Sequence, residues 1–388
     1  MNESTQHTSE LIPTFDDQDE VFSSAFAVLR DAIAEHAFPA ASVTVTLRGK
    51  LVASKAFGQF THDPKSPAVT TGTIFDLASV TKVIATTSMA MMLYERGLLE
   101  LDARVEGTIP EFTANSVGRD PRRERVTFRM LLAHSSGLPA YEKLFLRCHT
   151  RNELLETAFT TPLAADPGSR AVYSDIGFII LGVALERIAQ EPLDLFCRRE
   201  IFGPLGMAHT TFKPPEELRT QIPPTADDLT FRHRTIQGEV QDENAFVLGG
   251  VAGHAGLFST AEDVSRFAHC MLCGGRPTLL RETVVLFTHR ESSPAGTSRA
   301  LGWDTPSEPS QSGKYFSPAS FGHLGYTGSS LWIDSERELS IALLTNRTWP
   351  DCTNQAIKQV RPRFHNAVVE SAKILDPSYG GTSGGEIE

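Results

Sequence analysis

Strand-forming sequence lies at the two ends of this 388-residue chain, with a long helical, loop-rich stretch between them. Ser42–Leu47 and Leu51–Phe57 are β-rich runs divided by Arg48-Gly49-Lys50, which reads as a hairpin. Strand signals return late, where Ser329–Ile333 and Leu339–Thr345 flank the turn-like Asp334-Ser335-Glu336-Arg337. This distribution predicts one α/β (α+β) fold, in which the chain ends pair in an antiparallel sheet flanked by helices and the middle forms a helical lobe against it. A cleft between sheet and lobe is the natural place for a site.

Helical spacing runs through Phe22, Phe26, Leu29 and Ile33, predicting a helix over Val21–His36. Further helices are expected at Thr81–Glu95, Asp175–Ile188, Thr260–Leu272 and Gln355–Ile374. The expected organisation is a disordered or loosely docked arm over 1–20 and one catalytic domain over 21–375. Within that domain the sheet region takes about 21–60 and 300–375, and the helical lobe about 61–299. Residues 376–388 are expected to be a disordered tail. No repeat of 20–50 residues is visible.

Apolar residues make up 40% of the chain and charged residues 21%, as in ordinary globular enzymes. The formal net charge of −11 argues against nucleic acid or a membrane surface as partner, because both repel it. No apolar stretch is long and uninterrupted enough to span a bilayer. The first twenty residues hold six acidic side chains and no Lys or Arg, unlike a secretory signal, so the chain reads as cytoplasmic. The five cysteines are scattered, as suits reduced thiols. Cys270 and Cys273 fall inside an apolar helical pattern with no second ligand pair, so no metal or other cofactor is expected.

Ser79-Val80-Thr81-Lys82 opens the helix expected at Thr81–Glu95. Positions three apart share a helix face, so the Lys82 amine can reach the Ser79 hydroxyl. An alcohol attacks only when a base takes its proton, and a lysine serves as that base when its pKa is lowered. Such a tetrad is weak evidence alone, since a capping serine with a solvent-facing lysine looks the same. Ser79 is nevertheless the chain's only serine with a lysine three residues on. Two further elements add weight. Tyr173-Ser174-Asp175 precedes an apolar helix and offers a phenol for proton relay, while Ser174 or Asp175 is equally readable as a helix cap. Gly322-His323-Leu324-Gly325-Tyr326-Thr327-Gly328 leads into a strand, where the Tyr326 N–H and the Ser79 N–H would form an oxyanion hole. The plainer reading is a glycine-rich turn.

These elements, in this order, resemble the serine β-lactamase and penicillin-binding-protein superfamily, in its class C-like branch. That branch also holds family VIII esterases, D-alanyl-D-alanine carboxypeptidases and muropeptide amidases. The resemblance spans about 20–375 and takes in Leu131–Pro139, Pro204–Met207 and Gly253–Ser259. It implies Ser79 as nucleophile, Lys82 as base and Tyr173 as relay. It further implies that Asp175, His323, Gly325 and Asn346 bind substrate, and that His134 and His254 are structural. The family's third element, usually Lys-Thr-Gly, falls on His323-Leu324-Gly325. His323 in place of lysine implies a weaker, pH-dependent grip on a carboxylate. Leu324 removes a hydroxyl, and Asp175 replaces the usual Asn. These departures imply weak or no β-lactamase activity.

The resulting expectation is a serine hydrolase that forms an acyl-enzyme on small ester or peptide substrates, muropeptides included. Gln241–Ala245 followed by Gly249–His254 resembles a narrower subset of carboxypeptidases and N-acetylmuramoyl-L-alanine amidases of muropeptide recycling. The competing reading is a catalytically silent sensor or scaffold of the same fold. Gly381-Thr382-Ser383-Gly384-Gly385 matches the α/β-hydrolase elbow pattern but lies in the polar tail, without flanking strand or helix.

Overall fold

The computed structural model describes residues 11–114 and 120–376. Six strands form the main sheet: β1 (Ile12–Pro13), β2 (Ala40–Leu47), β3 (Lys50–Gly58), β4 (Phe321–Leu324), β5 (Ser330–Asp334) and β6 (Leu339–Thr345). Their order is β1-β3-β2-β6-β5-β4, antiparallel throughout except for the short β1–β3 pair. The two ends of the chain meet in the middle, since β2 pairs with β6 from Leu47↔Leu339 to Ala41↔Thr345. The β2–β3 hairpin turns on Arg48 and Gly49, both with positive φ (48° and 75°), the conformation that matches the twist of the flanking strands.

Side chains alternate between two buried faces, which is why β6 is buried at every position. Val43, Val45, Ile341, Leu343 and Trp332 point to one face, covered by helices α1 (Ser23–Ala34) and α4 (Ile357–Leu375). Leu331, Ile333, Ala342 and Leu344 point to the other, which carries the helical lobe. That lobe includes α2 (Asp175–Ala189) and α3 (Ala261–Leu272), whose position lies between those of α1 and α4 in the chain. Within α3, Cys270 is buried and donates to the Gly275 carbonyl, a packed thiol as expected.

Within the segment expected as a disordered or loosely docked arm, Thr14 N–H donates to Leu51 O at 2.9 Å and Ser54 N–H to Gln18 Oε1 at 3.0 Å. Residues 1–10 and 377–388, including the Gly381–Gly385 pattern, lie outside the described residues. The helix expected over Thr81–Glu95 is a wide π turn over Lys82–Thr87 before it becomes α-helical at Ser88–Glu95. Such widened turns recur at functional sites. Among the described residues, no helix is long and apolar enough to cross a membrane.

Candidate active site

Ser79 is presented by a bend rather than by a plain helix start. The short strand Phe75–Asp76 pairs with Leu257–Ser259, and the chain then turns at Ala78, whose φ of +47° is unfavourable for a residue with a side chain. Asp76 holds the bend: its carboxylate accepts from Ala78 N–H and from Gln241 N–H, each at 2.7 Å. Burial pushes that carboxyl up to about 6, against the pull of the two amides. The first helical hydrogen bonds come from Val80 and Thr81 N–H, so the Ser79 N–H stands outside the ladder.

Lys82 lies one turn on and is fully buried. Its amine is 3.0 Å from Ser79 Oγ, 2.6 Å from Asp175 Oδ1 and 2.9 Å from the His254 carbonyl. An ammonium has three donors, and these acceptors use all three. Once neutral, the amine keeps two donors for Asp175 and His254 and turns its lone pair to the serine, as a base must. Burial lowers the Lys82 pKa, while the Asp175 carboxylate beside it pulls the other way.

The phenol is carried by the start of α2. Ser174 caps that helix, accepting from Gly177 N–H at 3.0 Å and donating to Pro139 O at 2.6 Å. His134 Nδ1 accepts from Ser174 N–H at 3.0 Å, and its ring packs 4.7 Å from that of Tyr173. The hydrogen-bond pattern therefore assigns the proton of His134 to Nε2. Tyr173 keeps some exposed surface, yet its hydroxyl is enclosed and faces both Ser79 and Asp175. Burial, then the Asp175 charge, raise its pKa well above the usual phenol range. A raised pKa favours the protonated phenol.

On the opposite wall, the end of β4 runs against the Ser79 bend. A Cβ at Gly325 would lie 2.5 Å from Leu77 O, so only glycine allows this approach. Thr327 Oγ1 donates to Asp76 O at 2.8 Å. Buried Arg361 donates to the carbonyls of Gly325, Gly328 and Ser329 at 2.6, 3.0 and 2.8 Å, fixing the loop. Among the described residues the Tyr326 N–H has no backbone acceptor. The Tyr326 ring is exposed, with Arg347 stacked on it at 4.4 Å.

Three of the residues expected to bind substrate have partners within the protein. Asp175 Oδ1 accepts from the Lys82 amine at 2.6 Å, and 16% of its side chain is exposed. His323 is buried, its Nδ1 donates to Leu324 O at 2.8 Å, and burial with the Lys82 and Arg299 charges keeps its pKa well below the usual range. Its burial therefore disfavours the protonated, charged form. Asn346 spends its amide donors on Phe60 O and Pro224 O, both at 2.9 Å, fastening the end of β6.

Other contributors had no legible signal in the sequence. His254 takes part through its main-chain carbonyl, while its Nε2 pairs with Asp242 Oδ1 at 2.9 Å. Arg299 reaches the site from an irregular loop and lies 5.4 Å from the Tyr173 ring centroid.

The Beta-lactamase family model matches residues 25–360. A relative from Escherichia coli K12, provisionally named a D-alanyl-D-alanine carboxypeptidase, is 32% identical over 378 residues, covering 88% of this chain and 85% of the relative. Two solved structures share the fold. One is EstCE1, a hydrolase with promiscuous acyltransferase activity (TM-score 0.72, 23% identity, 90% of this chain and 99% of that one). The other is a penicillin-binding-protein homologue from Caulobacter crescentus (TM-score 0.71, 19% identity, 91% and 98%). The chain belongs to the Beta-lactamase family.

Proposed function

We propose that this protein is a serine hydrolase that cleaves ester or peptide bonds of small acyl substrates through an acyl-enzyme on Ser79. The observation that carries the reading is the buried Lys82 amine 3.0 Å from the Ser79 hydroxyl, with burial lowering its pKa. Neutral Lys82 takes the Ser79 proton as Oγ attacks the acyl carbon. The Ser79 and Tyr326 N–H groups face the oxyanion that develops. Tyr173 passes its proton to the leaving group and is refilled from protonated Lys82, and the same pair later activates the water that releases the acyl group.

Peptide substrates ending in D-alanine are the first choice, in keeping with the name of the 32%-identical relative. Esters are the second, in keeping with a shared fold. Weak or absent β-lactam hydrolysis follows from buried His323 and apolar Leu324 at the third element. The test is one preparation assayed on p-nitrophenyl esters, nitrocefin, acyl-D-Ala-D-Ala peptides and N-acetylmuramoyl-L-alanine. Turnover of the esters or peptides with nitrocefin at least a hundredfold slower is the expected result. Nitrocefin as the fastest substrate would overturn the assignment, and cleavage of N-acetylmuramoyl-L-alanine alone would replace it with an amidase.

A further inference from the structure

We infer that His36 and His62 together bind a divalent transition-metal ion of the Zn²⁺ or Cu²⁺ class, at a place separate from the Ser79 site. The inference does not depend on the hydrolase reading.

The two side chains come from different segments, His36 just past the end of α1 and His62 in the loop that follows β3. Their Nδ1 atoms are 3.1 Å apart, and their ring centroids 4.6 Å. A metal bound by imidazole at about 2.0–2.1 Å, with ligand angles between square and tetrahedral, sets neighbouring nitrogens about 2.8–3.4 Å apart. The observed spacing falls inside that range. It is also the length of an N–H···N hydrogen bond, so both nitrogens aim at one point that a proton or a metal ion can take. Imidazole selects a borderline ion over Mg²⁺ or Ca²⁺, which prefer oxygen.

Both rings are held in place by their backbones. His36 has a φ of +57°, the left-handed conformation that glycine usually takes at a helix end. Its N–H donates to Ile33 O at 3.0 Å, and its carbonyl accepts from Asn354 Nδ2 at 2.8 Å. The loop around His62 is tied on both sides. Phe60 N–H donates to Pro67 O at 2.9 Å, Thr61 N–H to Ser66 Oγ at 3.1 Å and Gln59 Nε2 to Pro64 O at 2.6 Å. Ligands arranged in advance lose little freedom on binding. Among the described residues no third His, Cys, Asp or Glu joins the pair, so water completes the shell, as suits an exchangeable ion. The ion would clip α1 to the loop after β3. The two histidines stand 26 positions apart, which is why no metal was expected from the sequence.

The test is calorimetric titration of the full chain with Zn²⁺ at pH 7.5, with Mg²⁺ as the control, on native protein, H36N, H62Q and the double variant. Asparagine tolerates the left-handed conformation, so H36N keeps the helix end. The native protein should show one Zn²⁺ site and no Mg²⁺ site. Each single substitution should weaken that site at least tenfold. The double variant should lose far less than the product of the two single effects, because two ligands of one ion are coupled. No Zn²⁺ binding to native protein at millimolar metal, or affinity within twofold of native in either single variant, overturns the inference. Should a variant not fold, the electron paramagnetic resonance spectrum of Cu²⁺ on native protein must show two bound nitrogens, and fewer overturns it equally. Ester and peptide turnover is measured separately, so either result leaves the hydrolase reading where it stands.

Discussion

Replacing Asp175 by Asn removes one charge from the site and keeps an acceptor oxygen in almost the same place. The native carboxylate is 2.6 Å from an amine with no solvent exposure, so it partly offsets the burial that drives the Lys82 pKa down. Hydrogen bonds to charged groups are worth roughly 1.5–3 kcal/mol, and one pKa unit is about 1.4 kcal/mol. Losing the charge should therefore remove about 1.5–3 kcal/mol of support from the protonated amine and lower the Lys82 pKa further. With Lys82 acting as the free amine in the proposed mechanism, the acid limb of kcat/KM against pH moves to lower pH. The plateau should fall as well, because a less basic amine is a weaker proton acceptor. Stopped-flow or plate-reader kinetics with a p-nitrophenyl ester over pH 4–9 reads both. An acid limb that stays within a few tenths of a unit, or moves up, would refute the pairing of Asp175 with the catalytic base.

Other substitutions follow from the same geometry. Lys82→Ala should cut kcat by about a hundred- to ten-thousandfold, the span of a general base, with the far-ultraviolet circular dichroism of the native protein; near-native turnover would remove Lys82 from its role. A Cβ on Gly253 would sit 2.2 Å from Phe178 O, so Gly253→Ala should cost roughly 1–3 kcal/mol of stability and pull the adjoining His254 carbonyl from Lys82. Its melting temperature and kcat should fall together, and a native value of either contradicts the packing argument. Buried His365 has its pKa lowered from 6.5 to about 3 by burial, so the unfolded chain binds a proton over that window while the native protein does not. That contribution is whole above pH 6.5 and is lost as pH falls, by about 2 kcal/mol at pH 5. His365→Gln should flatten the pH dependence of denaturant midpoints between pH 7 and 5, and an unchanged slope contradicts it.

Much of the fold was legible because it depends on short-range pattern. Period-two runs marked β2, β3, β5 and β6, and period-3.6 spacing marked α1 through α4 to within a few residues. Ser79, Lys82 and Tyr173 were legible because each sits at an element boundary with a chemically distinctive neighbour. Other features depend on contacts across the chain, which a single sequence does not display. The pairing of Asp175 with Lys82 joins residues 93 positions apart, and the His254 carbonyl reaches Lys82 across 172. A main-chain carbonyl has no residue-type signature at all. The burial of His323 was not legible, because its 2% exposure is a property of the fold rather than of the motif. The π turn at Lys82–Thr87 was missed for a similar reason, since apolar spacing over six residues does not separate a π turn from an α turn.

The central claim is that Ser79 Oγ is the nucleophile, and a fluorophosphonate probe tests it most directly, read by intact mass and peptide mapping. One covalent adduct, located on Ser79 and absent from Ser79→Ala, is the predicted result. A native protein that stays unlabelled under conditions that modify a known serine hydrolase, or that carries the adduct on another residue, would contradict it.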